Sequence, residues 1–320
     1  MTHSHASSNS CKHWGVTVID GRTHMVGLMG WPVEHSLSPA MHNAAFDALG
    51  LDWCYVPLPV PPGRVEFAVR GLVALGFRGA NVTVPHKEAV LSVLDRIDTD
   101  ARQIGAVNTI VIDRESDRQA VVRGYNTDES GVVAALRHGG CEPETERSAV
   151  VVGAGGAARA VVSSLLRAGV GEIVVLNRTY ARAEALVSDL RPIAVSDSRL
   201  RAVQLTPESL IWSVRTAGLL VNATTVGMWP RADASIWPDS PPIPKHLIVF
   251  DLVYNPPKTR LLRQAEASGA RGIDGLGMLV AQGAQAFELW TGRNAPHEVM
   301  RAACEKALGH GLRPAQPGLT

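Results

Sequence analysis

The stretch NVTVPHK, residues 81–87, sets a lysine just past a short strand that stops on Pro85. Alternation along a strand puts Asn81 and Thr83 on one face and Val82 and Val84 on the other, so two small polar groups line up and end on a cation. If Pro85 opens a helix, Lys87 falls in its first turn, where the macrodipole opposes a positive charge and eases proton loss. A lysine so placed can pass a proton to a forming alkoxide or stabilise it. An ordinary surface lysine is the competing reading.

A second stretch, GYNTDESG at 124–131, offers the carboxylate such a lysine needs. Asp128 falls in the first turn of the following helix, with Asn126 or Thr127 as cap, a place that favours a carboxylate in its own right. It also stands at the junction of two series of strands, where one side chain can face both a cofactor and a substrate.

A third stretch, VVVGAGGAAR at 150–159, follows a strand and opens a helix. Gly153, Gly155 and Ala158 fit the dinucleotide pattern of a tight turn, a close approach for pyrophosphate and a small residue at the helix–strand contact. The phosphates would rest on free N–H groups at the helix start. The next strand ends in Asn177, Arg178 and Thr179, with Arg182 one turn further on and no Asp or Glu to take a ribose 2′-hydroxyl. Two arginines suit a 2′-phosphate, so the cofactor read here is NADP(H). A plain βα turn and a solvated arginine face are the simpler alternatives.

The elements that must hold these residues alternate between strand and helix, as in an α/β fold with mostly parallel sheets. The first series runs through strands at 24–30, 53–60 and 77–84, helices at 38–50 and 62–76, and a hairpin from 106 to 126. Ser38 is expected as N-cap of its helix, with Pro39 at the first position and Gly50 as stop. The second series begins near residue 128 and carries the glycine turn and five further strands. Residues 229–244 hold five prolines and no apolar period and are expected as a surface loop. The helix at 277–292 is apolar on more than one face and must pack inside something, bridging back to the first series.

The chain has 320 residues, 46% apolar and 19% charged, enough for two cores. A net charge of +1 leaves no basic excess for nucleic acid or an acidic membrane surface, and no apolar run is long enough to span a bilayer. Cys11, Cys54, Cys141 and Cys304 form no CxxC pair, which suggests neither a zinc site nor a disulfide framework and points to a cytoplasmic protein with reduced thiols. No metal is expected; His3 and His5 belong to a polar N-terminal tail, and residues 1–20 are expected to be partly disordered.

With HSLSPAMHN (35–43), NVTVPHK (81–87), GAVNT (105–109), NTD (126–128), GAGGAAR (153–159), NRT (177–179), NAT (222–224), YNP (254–256) and GMLVAQ (277–282) in this order, the chain resembles the shikimate dehydrogenase family over nearly its whole length. The resemblance implies a substrate-binding domain of residues 1–127 completed by 275–320, and a Rossmann-type NADP domain of 128–274. It implies reversible NADPH-dependent reduction of 3-dehydroshikimate to shikimate, with Lys87 and Asp128 as the catalytic pair. The substrate pocket it implies is Ser36, Ser38, Asn81, Thr83, Lys87, Asn108, Asp128, Tyr254 and Gln282. Its cofactor set adds Ala154, Gly156, Ala157, Thr224, Leu252, Gly275 and Met278 to Gly153, Gly155, Asn177, Arg178, Thr179 and Arg182. The enzyme is expected as a monomer or homodimer. A quinate/shikimate dehydrogenase using NAD, a paralogue acting on an aminated ring and a non-catalytic NADP-binding module are the rival readings; Trp31, His35 and His86 are read as packing or loop residues.

Overall fold

The computed structural model describes residues 19–116, 119–195 and 198–309. The N-terminal tail with His3, His5 and Cys11 lies outside the described residues.

The first sheet is built from β1 (His24–Gly30), β2 (Trp53–Pro59), β3 (Gly79–Val82), β4 (Arg96–Ile97), β5 (Thr109–Ser116) and β6 (Gln119–Tyr125), in the order β2-β1-β3-β5-β6-β4. It is mixed: β1 runs parallel to β2 and β3, while β5 pairs antiparallel with both β3 and β6. The helices of this half are α1 (Ser38–Ala48), α2 (Val65–Ala74) and α3 (Thr99–Ile104). The expected hairpin from 106 to 126 is present as β5–β6.

Helix α4 (Asp128–His138) leads to a second sheet made of β7 (Ser148–Val152), β8 (Glu172–Asn177), β9 (Arg199–Gln204), β10 (Leu219–Asn222), β11 (Ile248–Asp251) and β12 (Arg271–Ile273). Helices α5 (Gly156–Arg167), α6 (Tyr180–Leu190), α7 (Pro207–Ser213) and α8 (Arg260–Ala267) connect them. The order β12-β11-β10-β7-β8-β9 is parallel throughout. It is the doubly wound order whose strand direction of growth reverses beside the first strand, and ligands bind at that reversal. β7 is buried at every position, as a strand covered by helices on both faces must be.

Helices α9 (Leu276–Thr291) and α10 (His297–Gly309) return to the first sheet. Phe287 stacks on Phe46 of α1 at 5.2 Å, and the Trp290 indole N–H donates to the Ile110 carbonyl at 2.9 Å. Each buried aromatic contributes about 1.5–3 kcal/mol by leaving water. The opposite side of α9 packs on α4, where Gly131 leaves no room for a side chain: a Cβ there would stand 3.1 Å from the Gln282 Cβ. That double packing accounts for apolar residues on more than one face of α9.

Three local expectations change. Lys87 does not lie in a helix: it sits in a turn, and the helical segment that follows is a short 3-10 helix, Ala89–Val93. Its carbonyl accepts from Val107 N–H at 2.8 Å, a tie to the lead-in of β5 in place of a helical bond. Ser38 is not the N-cap; Leu37 holds that position, and the Ser36 hydroxyl accepts from Ser38 N–H at 3.2 Å. Residues 229–244 are not only surface: Trp237 and Ile243 are buried in the core under β10 and β11, and the Trp237 indole N–H donates to the Pro241 carbonyl at 2.8 Å.

Candidate active site

The carboxyl ends of the central strands of both sheets face one cleft of about 500 Å³. β3 ends at Val82, so Asn81 belongs to the strand while Thr83 begins the turn that carries Lys87. Asp128 opens α4, with its N–H donating to the Asn126 side chain at 3.1 Å. The two meet: Lys87 Nζ lies 2.6 Å from Asp128 Oδ2, and the side chains are 13% and 4% exposed. At that burial the pair is desolvated enough for its charges to matter, and each needs the other.

Asp128 has a second donor. Asn108 Nδ2 reaches Asp128 Oδ1 at 2.9 Å and Gln282 Oε1 at 3.2 Å. Gln282, nearly two turns into α9, therefore joins the group from the far end of the chain. Ser36, Ser38 and Tyr254 line the same cleft. Burial pushes the Tyr254 phenol above its ordinary range, so it keeps its hydrogen and can donate. All nine residues expected to face a substrate line this cleft. The Asn81 amide is committed within the protein: Oδ1 accepts from Tyr55, and Nδ2 donates to Asn108 O and Thr109 Oγ1.

On the other side stands the glycine turn. Gly153 has φ +120°, and a Cβ there would meet the Ala223 carbonyl at 2.9 Å. A Cβ on Gly155 would meet nothing within 4 Å, so the backbone is open to a ligand there. No side chain caps α5, which leaves its first N–H groups without side-chain partners. These are the features a pyrophosphate needs, and the residues fit the group. A Cβ on Gly156 would stand 2.7 Å from the Lys87 Cβ, so this glycine is required by the lysine stem.

Asn177 ends β8 and donates to Thr179 O at 2.9 Å; Thr179 is the residue before α6, flanked by exposed Arg178 and by Arg182 within the helix's first turn. Arg182 lies 3.7 Å from Glu88, the residue after Lys87. Of the expected cofactor residues, Ala157, Thr224, Leu252, Gly275 and Met278 line the cleft. Gly153, Ala154, Gly155, Gly156, Asn177, Arg178, Thr179 and Arg182 are not among its lining residues and follow the glycine turn and the end of β8. The geometry suits a dinucleotide running from the arginines past the glycine turn to Lys87.

Several neighbours were not foreseen. Trp31 and His35, read from the sequence as packing or loop residues, line the cleft with Met228 and Trp229, and the His35 and Trp229 rings meet edge to face at 6.1 Å. His86 is buried, and its Nε2 lies 2.7 Å from the Val60 carbonyl, a packing role as expected. Arg159, the last residue of the GAGGAAR motif, is buried between the halves: it donates to the Ile104 carbonyl at 3.1 Å and pairs with Asp189 at 2.5 Å. A buried arginine within an otherwise small-residue motif was the available signal. Among the described residues no cluster of metal-ligating side chains is present, and no helix is long and apolar enough to cross a membrane.

Comparison with known proteins places the chain among shikimate dehydrogenases and their quinate-oxidising relatives. Residues 28–110 match the family model described as shikimate dehydrogenase substrate binding domain, 139–232 that of shikimate / quinate 5-dehydrogenase, and 275–305 that of the shikimate 5'-dehydrogenase C-terminal domain. The shikimate dehydrogenase (NADP(+)) of Methanopyrus kandleri is 50% identical over 286 residues, 89% of this chain and 96% of that protein. Among solved structures, shikimate 5-dehydrogenase from Thermus thermophilus in complex with NADP(H) and shikimate superposes with a TM-score of 0.76, at 40% identity, covering 89% of this chain and 100% of that one. Quinate dehydrogenase from Corynebacterium glutamicum in complex with NAD superposes with a TM-score of 0.77 at 32% identity, covering 89% and 99%.

Proposed function

The chain belongs to the shikimate dehydrogenase family, and from that premise we propose that it catalyses the reversible NADPH-dependent reduction of 3-dehydroshikimate to shikimate. The observation that carries the reading is the buried 2.6 Å contact between Lys87 and Asp128, facing the glycine turn across the cleft.

Gly153, Ala154, Gly155, Gly156, Ala157 and Thr224 would hold NADPH, Asn177, Arg178, Thr179 and Arg182 would take its 2′-phosphate, Leu252, Gly275 and Met278 would flank its nicotinamide, and the bound cofactor would supply the hydride. Lys87 donates a proton to the forming alkoxide, and Asp128 accepts from the same hydroxyl while holding the ammonium in place. Asn108 and Gln282 hold neighbouring ring hydroxyls, with Thr83 at the edge. Ser36, Ser38 and Tyr254 donate hydroxyls to the substrate carboxylate. A site so rich in buried polar groups rejects a ring lacking one hydroxyl, because its partner would stay unpaired. Asn81 stands behind this set.

We divide the chain into a substrate-binding domain of residues 1–127 with 275–320 and an NADP domain of 128–274. The two sheets and the return of α9 to the first of them support that division. The same reading makes the protein a cytoplasmic enzyme, acting as a monomer or homodimer on small molecules.

The test is a spectrophotometric assay with shikimate and quinate, each with NADP+ and NAD+. NADP+ reduction with shikimate is expected to dominate. Preference for quinate with NAD+ would move the chain to the quinate branch, and no turnover with any ring acid would leave a binding module.

A further inference from the structure

From the wall of the cleft inward runs a rank of buried polar side chains: Tyr55, Asn81, Thr109 and Thr127 are each 4% exposed or less. The Tyr55 phenol has one hydrogen to give, and it goes to Asn81 Oδ1 at 2.8 Å. That turns Asn81 Nδ2 toward Asn108 O at 3.2 Å and Thr109 Oγ1 at 3.1 Å. Thr109 Oγ1, accepting from Asn81, has its own hydrogen left for Asn108 Oδ1 at 3.1 Å, nearer than Thr127 Oγ1 at 3.3 Å. The backbone N–H of Thr127, which can only donate, reaches the same Oδ1 at 2.8 Å. Both donors demand that Asn108 keep its oxygen inward, so its nitrogen faces Asp128 Oδ1 at 2.9 Å. The reverse orientation would press a carbonyl oxygen on a carboxylate. Lys87 takes the other oxygen of Asp128.

We propose that Thr109 and Tyr55 are positioning residues: Thr109 directly, and Tyr55 through Asn81 and Thr109, hold the Asn108 amide in the one orientation that donates to Asp128, and so aim Asp128 at Lys87. The inference rests on Lys87 and Asp128 being the reacting pair. The packing around the phenol supports it. His42 stacks flat on the Tyr55 ring at 4.4 Å and 8°, and burial drives the imidazole down to about 3, so the ring beneath the phenol stays neutral. Burial also holds the phenol well above its ordinary range, so its hydrogen is retained. A hydrogen-bond chain with one fixed direction gives its last member a fixed orientation, and small errors of orientation at a reacting group are expensive.

The experiment compares Thr109→Val, Thr109→Ser and Tyr55→Phe with the unaltered chain, with Lys87→Ala alongside. The readouts are kcat, KM for shikimate, and the Kd for NADP+ by fluorescence titration. Thr109→Val keeps the shape and removes the hydroxyl; kcat is expected to fall roughly 10-fold or more, by a larger factor than KM rises. The Kd for NADP+ is expected to stay within about 3-fold, since none of these groups is among the residues that would hold the cofactor. Thr109→Ser is expected to restore kcat, and Tyr55→Phe to lower it in the same sense. Unchanged kcat in Thr109→Val, or a Ser variant as slow as the Val one, overturns the proposal. If Thr109→Val does not fold, Tyr55→Phe decides, and unchanged kcat there overturns it. Normal turnover in Lys87→Ala would instead sink the underlying pairing.

Discussion

A methyl group on Gly156 would stand 2.7 Å from the Cβ of Lys87 and 3.0 Å from its Cδ. The glycine turn of one sheet and the lysine of the other thus occupy adjoining space, and the small residue between them is what lets both be there. Gly156→Ala should push the lysine stem aside. A displacement of this kind at a reacting group is expected to lower kcat by about 100-fold, with a smaller loss of cofactor affinity. Steady-state kinetics and NADP+ titration of the variant separate the two; an unchanged kcat would show that the lysine does not depend on this gap.

Removing the lysine amine is a harsher change. Lys87→Ala is expected to cut kcat by about 10²–10⁴, the usual span for a lost general acid, while NADPH still binds. The variant also leaves Asp128 buried beside Asn108 without its cation, so a lower melting temperature is expected as well. Near-normal turnover would end the assignment of Lys87 as proton donor.

Cofactor choice should reside at the end of β8. Charge-assisted bonds contribute about 1.5–3 kcal/mol each, so Arg178→Ala or Arg182→Ala is expected to weaken NADP+ binding roughly 10-fold or more and leave NAD+ nearly unaffected. Titration of both nucleotides against both variants checks this. Parallel losses for the two nucleotides would mean the arginines do not read the 2′ position.

Asp251 supplies a pH test away from the chemistry. Burial raises its carboxyl to about 6, against the bonds it accepts from Thr259, Val253 N–H and Asn222. The folded chain therefore holds this proton more tightly than the unfolded one. Its contribution to stability is full below the ordinary value of 3.8 and is lost as pH rises through about 6. Asp251→Asn has no such proton to lose. The melting temperature of Asp251→Asn minus that of the unaltered chain is expected to grow from pH 5 to pH 8; a flat difference would refute the shift.

Much of this was legible along the chain because the signals were local. Strand β1, helix α6 and the glycine turn each announce themselves within a dozen residues, by an apolar run, an amphipathic period and G-x-G-x-x-A. Lys87 was found for a reason the fold does not use. A proline before a lysine reads as a helix start, yet a backbone bond from Val107, twenty residues on, takes the Lys87 carbonyl and keeps the turn open. Ser38 is likewise no cap, since the helix begins one residue earlier: the Leu37 carbonyl accepts from Met41 N–H, and Ser36 takes the Ser38 N–H itself. Tyr55 lies in no motif, and Thr109 only closes GAVNT, with no role legible there. Their role lies in the direction of hydrogen bonds between β2, β3 and β5, and pairing across strands cannot be read from any one of them.

The chain crosses between the two sheets twice, at Asn126–Thr127 before α4 and at Asp274–Gly275 before α9, and these two helices lie packed together. Asp128 at the start of α4 and Gln282 in α9 stand beside those two crossings, both bonded by Asn108, so the carboxylate of the pair is held where the chain itself joins the sheets twice, whereas Arg182 and Glu88 meet from the two halves through side chains alone.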